Sequence, residues 1–415
     1  MPADTLWPIW KRNLAICWLG GFITNAGMTM VLPFIPLYLE QLGLHREADV
    51  EQWAGVAFGA TFLMAAIVSP LWGRLADQYG RKLMLIRASL GMSVITTLMG
   101  FVTQPWHLVA LRFLMGAVSG YVSASTTLIA TQTPKERSGW ALAVVTTGAI
   151  AGGLIGPLLG GYLSEVIGLR KVFWATGGLI FLSFLLTAGL IRETFERRNT
   201  APLTGREVWG AIGRPKLVLG MFVTAGLMQA GAISIEPVVT IYVRQLLGRA
   251  DHVALVAGLV VASAGLATVI AAPILGRCSD RFGPWRVLGL SLLVAGLTLI
   301  PQGWVHEAWQ LGLWRFGFGL ASAGLLPAVN SVIRSLTPEH ALGRIYGYTQ
   351  SGQYLGNLAG PVLGGLVAAH WGIPMLFLLT ALVLIANAGW VAVQASRIAG
   401  GGRPEPVPTA TVAGS

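Results

Sequence analysis

"GRLADQYGRK", residues 73–82, and "GRCSDRFGPW", residues 276–285, are two versions of one short charged stretch. Gly73, Arg74, Asp77 and Gly80 recur as Gly276, Arg277, Asp280 and Gly283, while Arg81 and Lys82 give way to Pro284 and Trp285. Apolar residues run for about twenty positions on either side of each, the length a helix needs to cross a bilayer core of ~30 Å. A charged turn between two bilayer-length runs, met twice, points to a duplicated bundle of membrane helices.

The composition agrees. Of 415 residues, 54% are hydrophobic and 11% charged, against about a quarter charged in soluble domains. Too little polar surface exists to cover a water-facing globule. Twelve spans are predicted, at 13–40, 52–73, 83–102, 106–130, 138–163, 171–191, 217–243, 253–275, 285–304, 308–332, 343–369 and 372–394. The first is preceded by Lys11 and Arg12 but has no small-residue cleavage site and is too long for a signal-peptide core, so it is expected to stay. The net charge of +11 reports orientation. Arg46, Arg170, Lys171, Arg244 and Arg249 fall in one set of alternate loops and Arg112 and Arg315 inside spans; the remaining Lys and Arg lie in the other set, with both termini. That bias places both termini in the cytoplasm. Charges scattered over separate short loops are not a nucleic-acid surface. Cys17 and Cys278, in the first span and in a loop between spans, form no disulfide framework.

The repeat extends far beyond the charged stretch. Leu108, Arg112, Phe113 and Gly116 match Leu311, Arg315, Phe316 and Gly319, and Pro33 and Tyr38 match Pro237 and Tyr242. "GGLIGPLLGG" at 152–161 matches "GNLAGPVLGG" at 356–365, both reading G-x-x-x-G-P-x-x-G-G. Six spans per copy make the copies parallel, with a cavity expected between them near the midplane. The chain is thus read as an all-α polytopic membrane protein of two pseudo-symmetric six-helix bundles, 1–191 and 217–399. The joining segment, 192–216, is basic and is either an amphipathic helix on the inner surface or a flexible tether. The tail, 400–415, is expected to be disordered.

Twelve spans in two parallel sixes, a basic central segment and G-x-L-A-D-x-x-G-R-K after the second span resemble the major facilitator superfamily. The run Gly152, Gly156, Pro157, Gly160 and Gly161 resembles the motif of its twelve-span drug:proton antiporter group. The resemblance implies a bacterial inner-membrane exporter of hydrophobic or amphipathic compounds, driven by the proton gradient without a cofactor and working as a monomer. It also implies that Gly73, Arg74, Asp77, Gly80 and Arg81 form a gate against the eleventh span near Gly343 when the cytoplasmic side is closed. Asp280 would face the fifth span near Ser138. Arg112 would take part in proton coupling, and the fifth-span run would lie between the halves and resist leak. Plain anchoring by the basic residues and plain small-residue packing remain the alternatives. A facilitator or symporter for a small metabolite is the second functional reading.

Other candidates come from the residues alone. Charged side chains at membrane depth are costly and seldom face lipid. Arg112 and Arg315 lie about 10 Å into spans entered from outside. They serve either coupling or backbone carbonyls. Glu236 is the one carboxylate read as lying well inside a span, on the same helical face as Gln229 and Thr240. It either pairs with Arg315 or Arg112 or sits at the outer rim in water. Many drug antiporters carry an acid in the first span, whereas this one has Asn25, Met28 and Met30. The eleventh span carries Tyr346, Gln350, Gln353, Tyr354 and Asn357 on one stripe, suited either to a mixed apolar substrate or to joining helices. Asn25, Gln229, Gln350, Tyr354 and Asn357 are the expected substrate contacts. The histidines fall at span ends or in loops, and no metal cluster, nucleophile elbow or phosphate loop is read.

Overall fold

The computed structural model describes residues 8–134, 137–193, 209–210, 212, 214–248 and 252–400. The side chains at 77, 339, 340, 343, 344 and 398–400 lie outside that description, as do most of the joining segment and all of the tail beyond Gly400. Among the described residues the chain is helical and without strands. Its spans are α1 (Ile9–Gln41), α2 (Glu47–Tyr79), α3 (Arg81–Met99), α4 (Pro105–Gln132), α5 (Ser138–Ile167), α6 (Leu169–Leu190), α7 (Pro215–Leu247), α8 (Val253–Phe282), α9 (Pro284–Trp304), α10 (Ala308–Leu336), α11 (Glu339–Trp371) and α12 (Ile373–Gly400). Eleven are long and apolar enough to cross a membrane. The other, α11, has 33 residues, and its polar stripe lowers its apolarity. Trp309, Leu313, Leu382 and Trp371 are all exposed, as expected of helices that face lipid.

The charged stretch is more helical than expected. Helix α2 continues through Asp77 to Tyr79, and the turn is one residue, Gly80, at φ 89° and ψ 167°. Gly283 does the same at φ 89° between α8 and α9. An L side chain resists that backbone. Cys278, expected in a loop, is inside α8 for the same reason.

The duplication is visible in the packing. Tyr38 donates to the Met99 carbonyl at 2.8 Å and its ring meets Phe173. Tyr242 donates to the Gln302 carbonyl at 3.0 Å and its ring meets Phe377. Helices α1, α4, α7 and α10 are each interrupted, near Pro33, Gly120, Ile235 and Gly324. Equivalent spans therefore break together. Gly148, Gly152, Gly156 and Gly160 of α5 face the carbonyls of Trp18, Phe22, Ala26 and Met30 of α1, so closely that a Cβ would come within 3 Å of each oxygen. Gly352, Gly356, Gly360 and Gly364 of α11 do the same against Phe222, Gly226, Ala230 and Ser234 of α7. Spacing glycine by four puts all of them on one face, and without side chains the backbones touch.

The two halves meet along two seams, α5 with α8 and α2 with α11. A Cβ on Gly161 would lie 2.8 Å from the Ala254 carbonyl, and one on Gly258 2.5 Å from that of Pro157. Gly365 abuts the Glu51 carbonyl and Gly55 that of Pro361. All these contacts lie toward the face opposite the chain termini, the far face. At the terminal face Gly73, Gly139, Gly276 and Gly347 have open space around them. Along these seams the halves touch at the far face, whereas the terminal-face glycines of the same helices meet nothing within 4 Å.

Candidate functional site

Two buried arginines at equivalent positions anchor the candidate site. Each is the eighth residue of its helix, α4 or α10, about two turns in from the far face. Arg315 is 1% exposed, and its Nη2 donates to Glu236 Oε1 at 3.0 Å. The acid is presented by the break in α7: the helix stops at Ser234 and restarts at Glu236, with Pro237 locking the new first turn. Arg112 is 2% exposed. Its guanidinium lies over the Phe58 ring at 5.7 Å, and its Nε reaches the Ala57 carbonyl at a long 3.4 Å. Since Pro33 matches Pro237, Glu236 matches Leu32, so Arg112 has no acid at the equivalent place.

The break in α7 corrects one expectation. Gln229 and Glu236 lie on different helical segments, and Thr240 does not face a cavity. Thr240 is fully buried and donates to the Pro33 carbonyl of the first half. It belongs to the far-face closure. Glu236 is also not the one acid inside a span. Helix α2 starts earlier than expected, and Glu51 in its second turn is 4% exposed. Its neighbour Glu47 lies one turn before it, and Glu51 has no ion-pair partner among the described residues. The signal available was the period of α2 carried back across the apolar boundary at residue 52.

Several expected substrate contacts are engaged in packing. Asn25 Nδ2 donates to the Ala149 carbonyl of α5 at 2.5 Å. Gln229 Nε2 donates to Asn357 Oδ1 at 3.2 Å, joining α7 to α11, and Asn357 is buried. Tyr346 bonds the Asn330 carbonyl at 3.3 Å. Gln350 is exposed; Tyr354 is half-buried and shares a side-chain hydrogen bond with Ser69 of α2, in the other half. In the antiporter-like run the residues divide between two neighbours. Gly152, Gly156 and Gly160 face α1 within the same half; Gly161 and the Pro157 carbonyl face α8 of the other half. The run is thus only partly an interface between halves.

The charged turn is held by residues the sequence reading passed over. Both carboxylate oxygens of Glu193, just after α6, accept the first backbone amides of α3: Oε1 from Arg81 at 2.9 Å and Oε2 from Lys82 at 2.7 Å. An anion at that helix start satisfies orphan donors and the dipole together. Arg87 closes the break in α4, donating to the Ala117 and Ser119 carbonyls at 2.9 and 3.0 Å while lying 3.8 Å over the Trp72 ring. Asp77 lies in the last turn of α2, with its side chain outside the description, as is that of Arg344, next to Gly343. Arg74 and Asp280 sit at exposed positions. Among the described residues no group of His, Cys, Asp and Glu could hold a metal.

Comparison with known proteins places this geometry. The Major Facilitator Superfamily model matches residues 17–256 and 248–411. Multidrug resistance protein MdtG of Dickeya zeae (strain Ech586) is 44% identical over 388 residues, which is 93% of this chain and 95% of that protein. MdtG of Klebsiella pneumoniae (strain 342) is 44% identical over 93% of this chain and 94% of its own. Among solved structures, a bacterial homologue of the human lysosomal transporter Spinster, inward-facing and unoccupied, superposes with a TM-score of 0.78 at 16% identity, covering 94% of this chain and 97% of its own. The nucleoside transporter NupG gives 0.77 at 11% identity, covering 94% and 99%.

Proposed function

The chain belongs to the Major Facilitator Superfamily, and from that premise we propose that it exports hydrophobic or amphipathic compounds in exchange for protons. The observation that carries the reading is the one-sided closure: the halves touch at the far face, and the terminal-face glycines of the same helices meet nothing within 4 Å. The MdtG relatives supply the class of cargo. The distribution of Lys and Arg makes the terminal face cytoplasmic, so the open side is the side from which a drug is collected. The membrane is the bacterial inner membrane, and the working unit is one chain, with bundles 1–191 and 217–399 rocking about the cavity between them.

In this scheme Glu236 and Arg315 carry the coupling. A carboxylate at 3.0 Å from a buried guanidinium holds its charge in place. A proton added to Glu236 removes that anion and frees Arg315, so proton arrival changes what α7 and α10 bond across their interface. Arg112, lacking an equivalent acid, keeps its place on Ala57 and Phe58 and marks the second charged wall. Gln350 and Tyr354 meet cargo from the open side, while Asn25, Gln229 and Asn357 shape the floor. When the terminal face closes, the Gly73–Arg81 turn and Asp280 take up the gate between halves, and the Gly161 end of the α5 run holds the far seam meanwhile.

Transport in proteoliposomes across a panel of lipophilic drugs tests the reading. An imposed proton gradient should drive drug accumulation, and an uncoupler should abolish it. Uncoupler-insensitive counterflow of a small metabolite, with no drug movement, would replace export by facilitation.

A further inference from the structure

Glu40 and Arg244 hold equivalent places in the two halves. Each lies two residues beyond a matched tyrosine, Tyr38 and Tyr242. Both tyrosines are pinned to the same kind of carbonyl in their own half. The equivalent positions converge at the far face, where Arg244 Nη1 bonds Glu40 Oε1 directly. The other arm, Nη2, reaches Glu47 Oε1 of α2 at 3.2 Å. Gln245, the next residue, donates to the second oxygen of Glu47 at 3.0 Å. Arg244 therefore ties α7 of the second half to both α1 and α2 of the first. Its fork lets one residue hold two acids, which a point charge on lysine does less well.

We propose that Arg244 is the latch of the far face: its bonds to Glu40 and Glu47 hold the closed arrangement and must break each time the protein opens on that side. The proposal rests on the alternating-access reading above. Two features make these bonds suited to breaking. Arg244 and Glu40 are 27% and 26% exposed, so water stands ready to replace each partner, and such pairs are weakened by salt. They also sit on chain ends that follow a helix break, near Pro33 in α1 and Ile235 in α7. The far half of each helix can thus swing without unfolding the rest. The α5–α8 seam has a smaller counterpart, where Glu165 takes His252 Nδ1 at 2.6 Å and the Leu255 amide at 3.1 Å. It binds one first-half acid to the start of one helix, whereas Arg244 spans two helices.

The latch is tested with full-length protein in proteoliposomes. Ser164 lines a crevice of about 440 Å3 beside Glu40 and Glu165, and a Ser164→Cys reporter is labelled there with a membrane-impermeant maleimide. In the otherwise native chain labelling should be slow and should speed up with salt. Arg244→Gln should raise the rate at least about fivefold, and drug transport should fall because the far-closed state is under-populated. The exchanged pair, Glu40→Arg with Arg244→Glu, made together with Glu47→Gln so that the new acid does not face Glu47, should bring the rate back toward the native value. Should Arg244→Gln fail to fold, Glu40→Gln with Glu47→Gln removes the same bonds. A rise of less than about fivefold in whichever variant folds would overturn the latch, as would an exchanged pair that labels as fast as Arg244→Gln. Labelling that responds to drug in the native chain but not to these substitutions would sink the latch alone. Labelling that never responds to drug would sink the alternating-access reading itself.

Discussion

Arg315 and Glu236 meet at 3.0 Å, the guanidinium buried and the carboxylate at the start of a helix broken to present it. Breaking such a pair from one side leaves a charge in apolar surroundings without its counter-ion, which costs about 3–5 kcal/mol. Glu236→Gln should therefore lower the melting temperature in detergent, and removing the arginine as well, with Arg315→Gln, should recover part of the loss. In proteoliposomes Glu236→Gln should lose the pH dependence of drug exchange. Full pH-dependent exchange in that variant would remove Glu236 from the coupling scheme.

Seam glycines should tolerate nothing larger. A methyl group at Gly161 would sit 2.8 Å from the Ala254 carbonyl, closer than side chains approach. Gly161→Ala should part the α5–α8 seam and speed far-face labelling, whereas Gly139→Ala, with open space around it, should leave labelling unchanged. Equal effects from the two would show that the glycines only provide helix flexibility.

Glu193 should matter to the charged turn. Replacing it with Ala strips two amides at the start of α3 of their acceptor. Loss of a helix N-cap costs about 1 kcal/mol, so thermal unfolding should shift down by a few degrees. Glu193→Asp, one methylene shorter, should lose part of that; a melting curve superimposable on native for Glu193→Ala would mean the amides find water instead.

Glu51 offers the opposite sign. Its carboxyl group is 4% exposed and near Glu47, and a charge buried without a partner destabilises. Glu51→Gln keeps the shape and removes that charge, so it should raise the melting temperature at alkaline pH and slow far-face labelling. A fall in melting temperature would show that Glu51 has a counter-ion the far-closed state depends on.

Much of this was legible in the residues because membrane physics leaves few choices. Bilayer-length apolar runs gave the spans, and the repeated G-x-x-x-G-P-x-x-G-G run marked where helices pack tightly, though not that α1 and α7 would be the partners. The family resemblance narrowed the class, and its contribution is separate from that of the periodicity. What escaped was set by long-range geometry. Glu51 lies just outside the apolar run that defined α2, and burial there comes from α11, far along the chain. Glu193 follows α6 and acts on α3. The break in α7 turned Thr240 toward Pro33, because Pro237 restarts the helix in a new register. The Glu40–Arg244 contact was hidden for a different reason: equivalence in a repeat says which positions correspond, not which ones touch.

That contact also dates itself relative to the duplication. Two identical copies related by an axis would bring like residues together at this spot, acid against acid or base against base, and would be pushed apart. The bond between Glu40 and Arg244 requires the copies to have become different at this position. An ancestral pair of identical halves could have used charge at this face only between non-equivalent positions, as Arg244 does with Glu47.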